Sequence, residues 1–179
     1  MKIAIMGFSG AGKSTLARRL AEHHGVEALH LDTVQFLPNW VIRDTEDKQQ
    51  LVLEFMDSHE GWVIDGNYSA LHLDRRLEEA DLIILLLFDR LSCLWRVTQR
   101  YFTYRGRTRP DMGEGCSEKL DLEFIRWVLH GGRTKKTKAR FRARQEKYPH
   151  KTVVLKNQRQ LDKWLAGCLA STPQGNISK

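Results

Sequence analysis

The stretch GFSGAGKS at residues 7–14 decides the fold of this 179-residue chain. It fits the pattern G-x-x-x-x-G-K-[ST], which describes a loop that holds phosphate groups. Apolar residues 3–6 precede the loop, and a helical pattern at 13–24 follows it. A plain glycine turn is the alternative, but the order of strand, loop and helix favours a nucleotide phosphate site.

The loop has the chemistry that a nucleotide needs. Glycines lack a Cβ atom, so backbone N–H groups can turn towards an anion, and the N-terminus of the following helix favours negative charge. Lys13 can reach the β and γ phosphates, and the Ser14 hydroxyl can ligate Mg²⁺. We therefore expect ATP and Mg²⁺ as cofactors. The residues predicted to bind ATP are Gly7, Ser9, Gly10, Ala11, Gly12, Lys13, Ser14 and Thr15.

Short apolar runs alternate with helical patterns along the chain. The runs are 2–6, 28–31, 62–65, 82–88 and 152–156. The helical patterns are 13–24, about 45–59, 70–79, a long region at 90–147, and 158–170. The fourth run has no polar alternation, which is typical of a parallel strand buried on both faces. The pattern predicts a three-layer, doubly wound α/β fold with its ligand site at the carboxyl ends of the strands.

Three carboxylates lie where predicted strands end. Asp32 follows the second strand, Asp65 closes the third and Asp89 closes the fourth. Each aspartate can simply cap a helix, and this interpretation is strongest for Asp89 because a helical pattern starts at the next residue. The functional alternative is that Asp65 or Asp89 supports Mg²⁺ and that Asp32 binds or activates an acceptor hydroxyl.

Other candidate substrate contacts lie after the second and third strands. Asn67 and Tyr68 follow the third strand, and Tyr68 offers both a ring and a hydroxyl. The aromatic segment 33–43 can form one wall of an acceptor pocket. Aromatic residues such as Phe36 and Trp40 within it more often belong to the core than to a ligand site.

Charge is distributed unevenly. The net charge is +7, yet residues 1–89 hold 8 Lys and Arg against 15 Asp and Glu, whereas residues 90–147 hold 16 against 6. The basic segment is interpreted as a solvated helical face, a clamp for phosphates or a nucleic-acid surface. A phosphate loop in the same chain favours the clamp.

The basic segment offers arginines for a phosphoryl group in transfer. Arg96 and Arg100 are spaced to share one face of a helix, and Arg133, Arg140 and Arg144 follow in a second basic stretch. Arginine is the preferred residue for bidentate phosphate contacts. With Lys13 and Asp32, the residues predicted to be catalytic are Arg96, Arg100 and Arg133.

Length and composition favour one domain with reduced thiols. A single domain over 1–179 is expected, with a core at about 1–89 and 148–171, a lid at about 90–147 and a flexible tail at 172–179. We find no secretory signal, and the longest apolar run is too short to cross a bilayer. The three cysteines form no C-x-x-C pair, so a cytoplasmic protein is expected.

The motifs together resemble a known group. The chain is similar to the adenylate-kinase-like phosphate-loop kinases and, within them, to the bacterial topology modulation proteins. The matching stretches are IMGFSGAGKSTLARRL (5–20), LHLDTVQFLPNW (29–40), GWVIDGNYS (61–69), ADLIILLLFDR (80–90) and RPDMGEGCSEKLDLEFIRWV (109–128).

The resemblance implies a parallel sheet with strand order 2-3-1-4-5, an acceptor-side segment and an arginine-bearing lid. Asp65-Gly66 matches a pair that lies near Mg²⁺ in nucleoside monophosphate kinases. Asn67, Tyr68 and Ser69 stand where those kinases have Phe-Pro-Arg, so the arginine that holds their acceptor phosphate has no counterpart.

The expected function is therefore transfer of the ATP γ-phosphoryl to a small-molecule or nucleotide acceptor. The alternative is a nucleotide-binding regulator of DNA topology that contacts nucleic acid through residues 90–147. Nothing in the sequence matches a DNA-reading module.

Overall fold

A computed structural model describes residues 1–106, 112, 115, 116, 118 and 120–170. The predicted tail at 172–179 lies outside these residues, and the predicted lid is described in part. The elements in chain order are β1 (Lys2–Gly7), α1 (Lys13–His24), β2 (Glu27–His30), α2 (Leu31–Gln35), β3 (Phe36–Leu37), β4 (Val41–Ile42), α3 (Thr45–Ser58), β5 (Trp62–Asp65), α4 (Leu73–Glu79), β6 (Leu82–Leu86), α5 (Arg90–Tyr104), α6 (Leu122–Leu129), α7 (Lys135–Lys147), β7 (Thr152–Leu155) and α8 (Gln158–Ala170).

Five strands form one parallel sheet in the order β2-β5-β1-β6-β7. Counted along the sheet strands alone, this is the predicted order 2-3-1-4-5, and the doubly wound α/β fold is confirmed. β1 lies between β5 and β6, and the connection that leaves β1 runs towards β2 while the one that leaves β6 runs the opposite way across the sheet, towards β7. A ligand site in such a sheet lies at the carboxyl end of β1.

The sheet is buried on both faces. Ile3, Ile5, Ile64, Ile83 and Ile84 are all fully buried. Burying a side chain of this size contributes roughly 1.5–3 kcal/mol relative to leaving it in water. The apolar, β-branched runs therefore form strands because helices cover both faces of the sheet.

Helix ends follow the local chemistry of the sequence. Gly25 ends α1 with a φ of 62°, a left-handed conformation that glycine adopts without strain. Asp89 caps α5, since its carboxylate accepts hydrogen bonds from the backbone N–H groups of Leu91 and Ser92. Of the two roles considered for Asp89, the structure thus supports that of a helix cap.

The region around residues 31–42 differs from the sequence prediction. The predicted second strand reached residue 31, but β2 ends at His30 and the short helix α2 follows at once. Strands β3 and β4 then pair as a small antiparallel hairpin. Two-residue strands leave no detectable period in a sequence, so the hairpin could not be predicted.

The other elements lie close to their predicted positions. The fourth predicted run, 82–88, is strand only to Leu86, and the predicted helix at 70–79 begins at Leu73. Among the helices of the described residues, none has the length and apolar character that a membrane span requires. The three cysteines are free thiols, and Cys93 and Cys116 are buried.

Candidate active site

The phosphate loop is held tightly against β6 and α5. Gly7, Gly10 and Gly12 have φ angles of 148°, 79° and 91°. A Cβ atom on Gly10 would lie 2.6 Å from the carbonyl oxygen of Cys93, which is closer than such contacts allow. The loop therefore needs glycine both for its backbone conformation and for its packing.

Asn67 fixes the start of the loop. Its Nδ2 donates to the carbonyl oxygen of Gly7 at 2.7 Å, and its Oδ1 accepts from the N–H of Gly7 at 3.1 Å. The oxygen and the nitrogen of the side-chain amide thus both bond to Gly7, and they link the segment after β5 to the end of β1. This contact supports a positioning role, and the predicted substrate contact of Asn67 stays a prediction.

Ser14 and Asp65 meet beneath the loop. The Ser14 hydroxyl donates to Oδ2 of Asp65 at 3.0 Å. Oδ1 of the same carboxylate is hydrogen-bonded to Nδ1 of His30, at the end of β2. Asp65 is only 4% exposed, so two partners compensate for burying its charge.

The Ser14 and Asp65 pair fits Mg²⁺. Among the described residues, no cluster of three or more His, Cys, Asp or Glu side chains could hold a metal ion alone. Mg²⁺ does not need one, because it keeps several waters and is typically bound through one or two carboxylates and the substrate phosphates. A hydroxyl and a carboxylate directly behind a phosphate loop supply such ligands.

Asp32 and Tyr68 form a second polar pair. The Tyr68 hydroxyl donates to Oδ1 of Asp32 at 2.6 Å. Burial, reinforced by Asp32, raises the pKa of Tyr68 above its ordinary value, so the phenol stays protonated and remains a donor. Behind it, the buried Arg76 donates to the carbonyl oxygens of Leu71 and Tyr68 at 2.8 and 2.7 Å and fixes this turn.

A cavity of about 710 Å³ joins the loop to this pair. This volume suits a small-molecule ligand. The described residues that line it are Ser9, Gly10, Ser14, Asp32, Phe36, Trp40, Tyr68, Arg100, Met112, Glu118, Asp121, Glu123, Phe124, Arg126, Trp127 and Gly131. The loop, Asp32 and Tyr68 therefore share one cavity.

A second cavity, of about 300 Å³, lies beside the loop. Its lining residues are Gly10, Gly12, Lys13, Ser14, Thr15, Arg96, Gln99, Arg100, Thr103 and Tyr104. Lys13 Nζ lies 3.3 Å from the carbonyl oxygen of Phe8. Cations and loop backbone thus surround this second cavity, which lies next to the larger one.

The two predicted arginines of α5 both reach this region. Arg96 donates to the carbonyl oxygen of Ala11 at 3.4 Å and also contacts Oε1 of Gln158. Arg100 donates to Oε2 of Glu118 at 3.1 Å and lines both cavities. The geometry is consistent with the clamp interpretation of this part of the basic segment.

Arg133 lies elsewhere. It is 8% exposed, and its guanidinium donates to the carbonyl oxygens of Val128, Phe88 and Asp89 at 2.8, 2.7 and 3.3 Å. It also stacks over the ring of Phe8, 4.0 Å from the centroid. Neither cavity is lined by Arg133, so its contacts indicate a structural role, and its predicted catalytic role stays a prediction.

The other two basic candidates also lie outside both cavities. Arg140 is exposed on α7. Arg144 lies 3.2 Å from the sulfur of Met6, and burial lowers its pKa. Neither residue lines a cavity, so the phosphate clamp does not extend to them in this structure.

His30 and Trp127 are among the site residues that sequence reasoning missed. His30 precedes Asp32 by two residues, and a polar residue at the end of a strand is the signal that could have identified it. Trp127 on α6 donates through Nε1 to the Ser9 hydroxyl at 3.3 Å. Nothing local in the sequence indicates that this tryptophan reaches the phosphate loop, 118 residues away.

Neither a known protein family nor a curated protein matches the sequence. Solved structures do match. Shikimate kinase from Acinetobacter baumannii, in complex with shikimate, is 19% identical with a TM-score of 0.56, over 97% of this chain and 95% of that chain. This chain therefore shares the α/β fold of that kinase. An identity this low shows the shared fold alone.

Two further solved structures match with lower scores. Deoxyadenosine kinase from M. mycoides is 14% identical with a TM-score of 0.49, over 96% of this chain and 100% of that chain. An uncharacterized protein from Eubacterium ventriosum is 13% identical with a TM-score of 0.47, over the same shares.

Proposed function

We propose that this chain is an ATP- and Mg²⁺-dependent phosphotransferase that transfers the γ-phosphoryl of ATP to a hydroxyl of a small molecule. One observation carries the proposal: the phosphate loop and the Asp32–Tyr68 pair line the same cavity. A donor phosphate on the loop and an acceptor hydroxyl at Asp32 therefore have room to meet.

The loop and the cations around it act on the phosphates. Backbone N–H groups of residues 7–14 hold the phosphate chain, and Lys13 lies at the same cavity as Arg96 and Arg100. Charge spreads over the oxygens of the moving phosphoryl in the transition state, so these three cations stabilise it.

Ser14 and Asp65 would hold Mg²⁺. When bound there, the ion neutralises charge on the phosphate oxygens. Hydrogen bonds within the chain orient these two metal ligands. Oδ2 of Asp65 accepts from the Ser14 hydroxyl, and His30 is hydrogen-bonded to Oδ1.

Asp32 acts on the acceptor. Oδ1 accepts the Tyr68 hydroxyl, and Oδ2 orients the acceptor hydroxyl and takes its proton. The acceptor oxygen forms a bond to the γ-phosphorus, the bond from phosphorus to the β–γ bridging oxygen breaks, and ADP leaves. The aromatic segment 33–43 then forms one side of the site, and the part of 90–147 that carries Arg100 forms the other. These two sides close around the acceptor.

The regulator of DNA topology is the weaker candidate. Arg133 is bound to three backbone carbonyls and Arg96 is engaged at the phosphate loop, so these two cations are not available to nucleic acid, whereas Lys138 and Arg140 of α7 are exposed. The solved structure that shares the fold is a kinase, which favours phosphotransfer. The resemblance to the topology modulation proteins stays a prediction, and a kinase activity would be compatible with it.

The proposal is tested by following ADP release from Mg·ATP with a panel of acceptors. The panel holds nucleosides, nucleoside monophosphates and small hydroxyl compounds, including shikimate. We expect acceptor-dependent ADP release that is lost in Lys13→Ala and retained in Lys138→Ala, which removes an exposed lysine of α7. Acceptor-dependent release that survives in Lys13→Ala would refute the assignment.

A further inference from the structure

The wall of the larger cavity on the sheet side has an unusual composition. It consists of Asp32, the Phe36 and Trp40 rings, and Tyr68. The two rings are packed edge to face, with centroids 5.2 Å apart. This wall lies wholly within the described residues 1–106, and no basic side chain lines the cavity from it.

Helix α6 and the residues before it supply the remaining wall. Phe124 and Trp127 add two more aromatic side chains. The charged lining residues among those described are Asp32, Glu118, Asp121 and Glu123 on the acidic side, and Arg100 and Arg126 on the basic side. Among the described residues, the lining of this cavity is therefore aromatic with an excess of carboxylates.

Of the two basic residues in the described lining, Arg126 is exposed on α6, and Arg100 pairs with Glu118 and also lines the smaller cavity beside Lys13. In the proposed reaction, Arg100 therefore contacts the phosphoryl group that is transferred. A second phosphate or a carboxylate on the acceptor would lie near Asp32, where like charges repel in a partly desolvated site. Tight recognition of such an anion uses arginine forks, which the sheet-side wall does not offer.

The geometry points to an aromatic alcohol of nucleoside size, uncharged or cationic, as the phosphoryl acceptor. This inference rests on the proposed phosphotransfer and names its acceptor class. The aromatic side chains pack against the flat ring of the acceptor, Asp32 receives its hydroxyl, and the acidic lining excludes compounds that carry a phosphate or a carboxylate.

Matched ligand pairs test this class by binding, independently of turnover. The phosphate loop is first saturated with Mg²⁺ and the β,γ-imido analogue of ATP, which blocks binding of the probes there. Affinities of a nucleoside, its 5′-monophosphate and free ribose are then measured by calorimetry. We expect the nucleoside to bind at least roughly tenfold more tightly than its monophosphate and than ribose.

Variants identify the origin of the discrimination. In Asp32→Asn, the carboxylate charge is lost. The nucleoside should then bind less than about threefold more tightly than its monophosphate. Asp47→Asn removes an exposed carboxylate of α3 that lines neither cavity, and it should keep the preference of the wild type.

The outcomes separate this inference from the proposed function. A monophosphate that binds more tightly than its nucleoside, and is phosphorylated, overturns the acceptor class and leaves phosphotransfer intact. The acceptor class is also overturned if ribose binds as tightly as the nucleoside, or if no nucleoside binds, whatever its base. A nucleoside that binds as expected but accepts no phosphate from Mg·ATP overturns the proposed phosphotransfer instead.

Discussion

The hydroxyl of Ser14 donates a 3.0 Å hydrogen bond to Asp65, a residue 51 positions later in the chain. Ser14 lies in the first turn of α1, the helix after β1, and Asp65 closes β5, the strand beside β1. The parallel register brings the ends of both strands to one edge of the sheet. The phosphate loop and the carboxylate predicted to support Mg²⁺ therefore come together through sheet pairing.

His30 is predicted to be a positioning residue for Asp65. His30→Phe removes the partner of Oδ1 and lets the carboxylate rotate away from Ser14. Partners of this kind typically affect metal affinity or activity by about 10- to 100-fold, so we expect a kcat roughly tenfold lower and a higher half-saturating Mg²⁺ concentration. Steady-state kinetics over a Mg²⁺ series measures both.

Two variants make the His30 test specific. His30→Gln retains a hydrogen-bonding side chain and should recover part of the lost activity, whereas His59→Phe changes a histidine at the end of α3 and should leave the Mg²⁺ dependence unchanged. An unchanged Mg²⁺ dependence in His30→Phe would show that Asp65 does not need this partner.

Arg133 is predicted to act on stability. Arg133→Met leaves up to three backbone carbonyls without a donor, which should lower the free energy of unfolding by about 3 kcal/mol. Urea unfolding followed by circular dichroism measures the change, with Arg140→Met on the exposed face of α7 as the control. A variant of wild-type stability that has lost turnover would instead support the catalytic role predicted from the sequence.

Tyr68 is predicted to resist ionisation. Burial and Asp32 raise its pKa, so the stability that its neutral hydroxyl contributes is present below about pH 10, the ordinary tyrosine value, and is lost as the pH rises through the higher folded value. In the folded protein, wild type and Tyr68→Phe should show equal tyrosinate absorbance at 295 nm up to about pH 11.

The unfolded chains provide the control for this titration. In concentrated urea, the wild type should show one more ionising tyrosine than Tyr68→Phe, with a midpoint near the ordinary value of about 10. A difference with that same midpoint in the folded proteins would show that the Tyr68 hydroxyl is not held by Asp32.

Trp127 is predicted to report nucleotide binding. Its indole N–H contacts the Ser9 hydroxyl of the phosphate loop, and the side chain is 51% exposed. Mg·ATP on the loop should therefore change the tryptophan emission, and most of that change should be absent in Trp127→Phe. Trp95→Phe, on the exposed face of α5, should keep it. If the change in emission is as large in Trp127→Phe as in the wild type, the signal comes from another tryptophan.

The sheet and the phosphate loop were predictable because their signals are local. The run at 82–86 is apolar at every position because both faces are covered, and the glycines of 7–14 are required by the loop itself. The resemblance to adenylate-kinase-like proteins supplied the strand order. The Asp89 cap follows from its neighbours in sequence.

The rest of the site depends on contacts that leave no local trace. Asn67 reaches Gly7 across 60 positions, and His30 reaches Asp65 across 35. Arg133 looks like any other arginine of a basic segment, and only the folded structure shows that its guanidinium donates to the backbone carbonyls of Phe88 and Asp89, just after β6. Side-chain partners of this type are properties of the assembled fold.

In the proposed reaction, the phosphate loop and Asp32 serve the two ends of one phosphoryl transfer. The most direct measurement follows the label from [γ-³²P]ATP in wild type and in Asp32→Asn, with a bound aromatic alcohol as acceptor. We expect label in the acceptor for wild type, and in Asp32→Asn a loss of at least roughly a hundredfold with ATP still bound. Label released only as inorganic phosphate, at the same rate in both proteins, would contradict the proposed reaction.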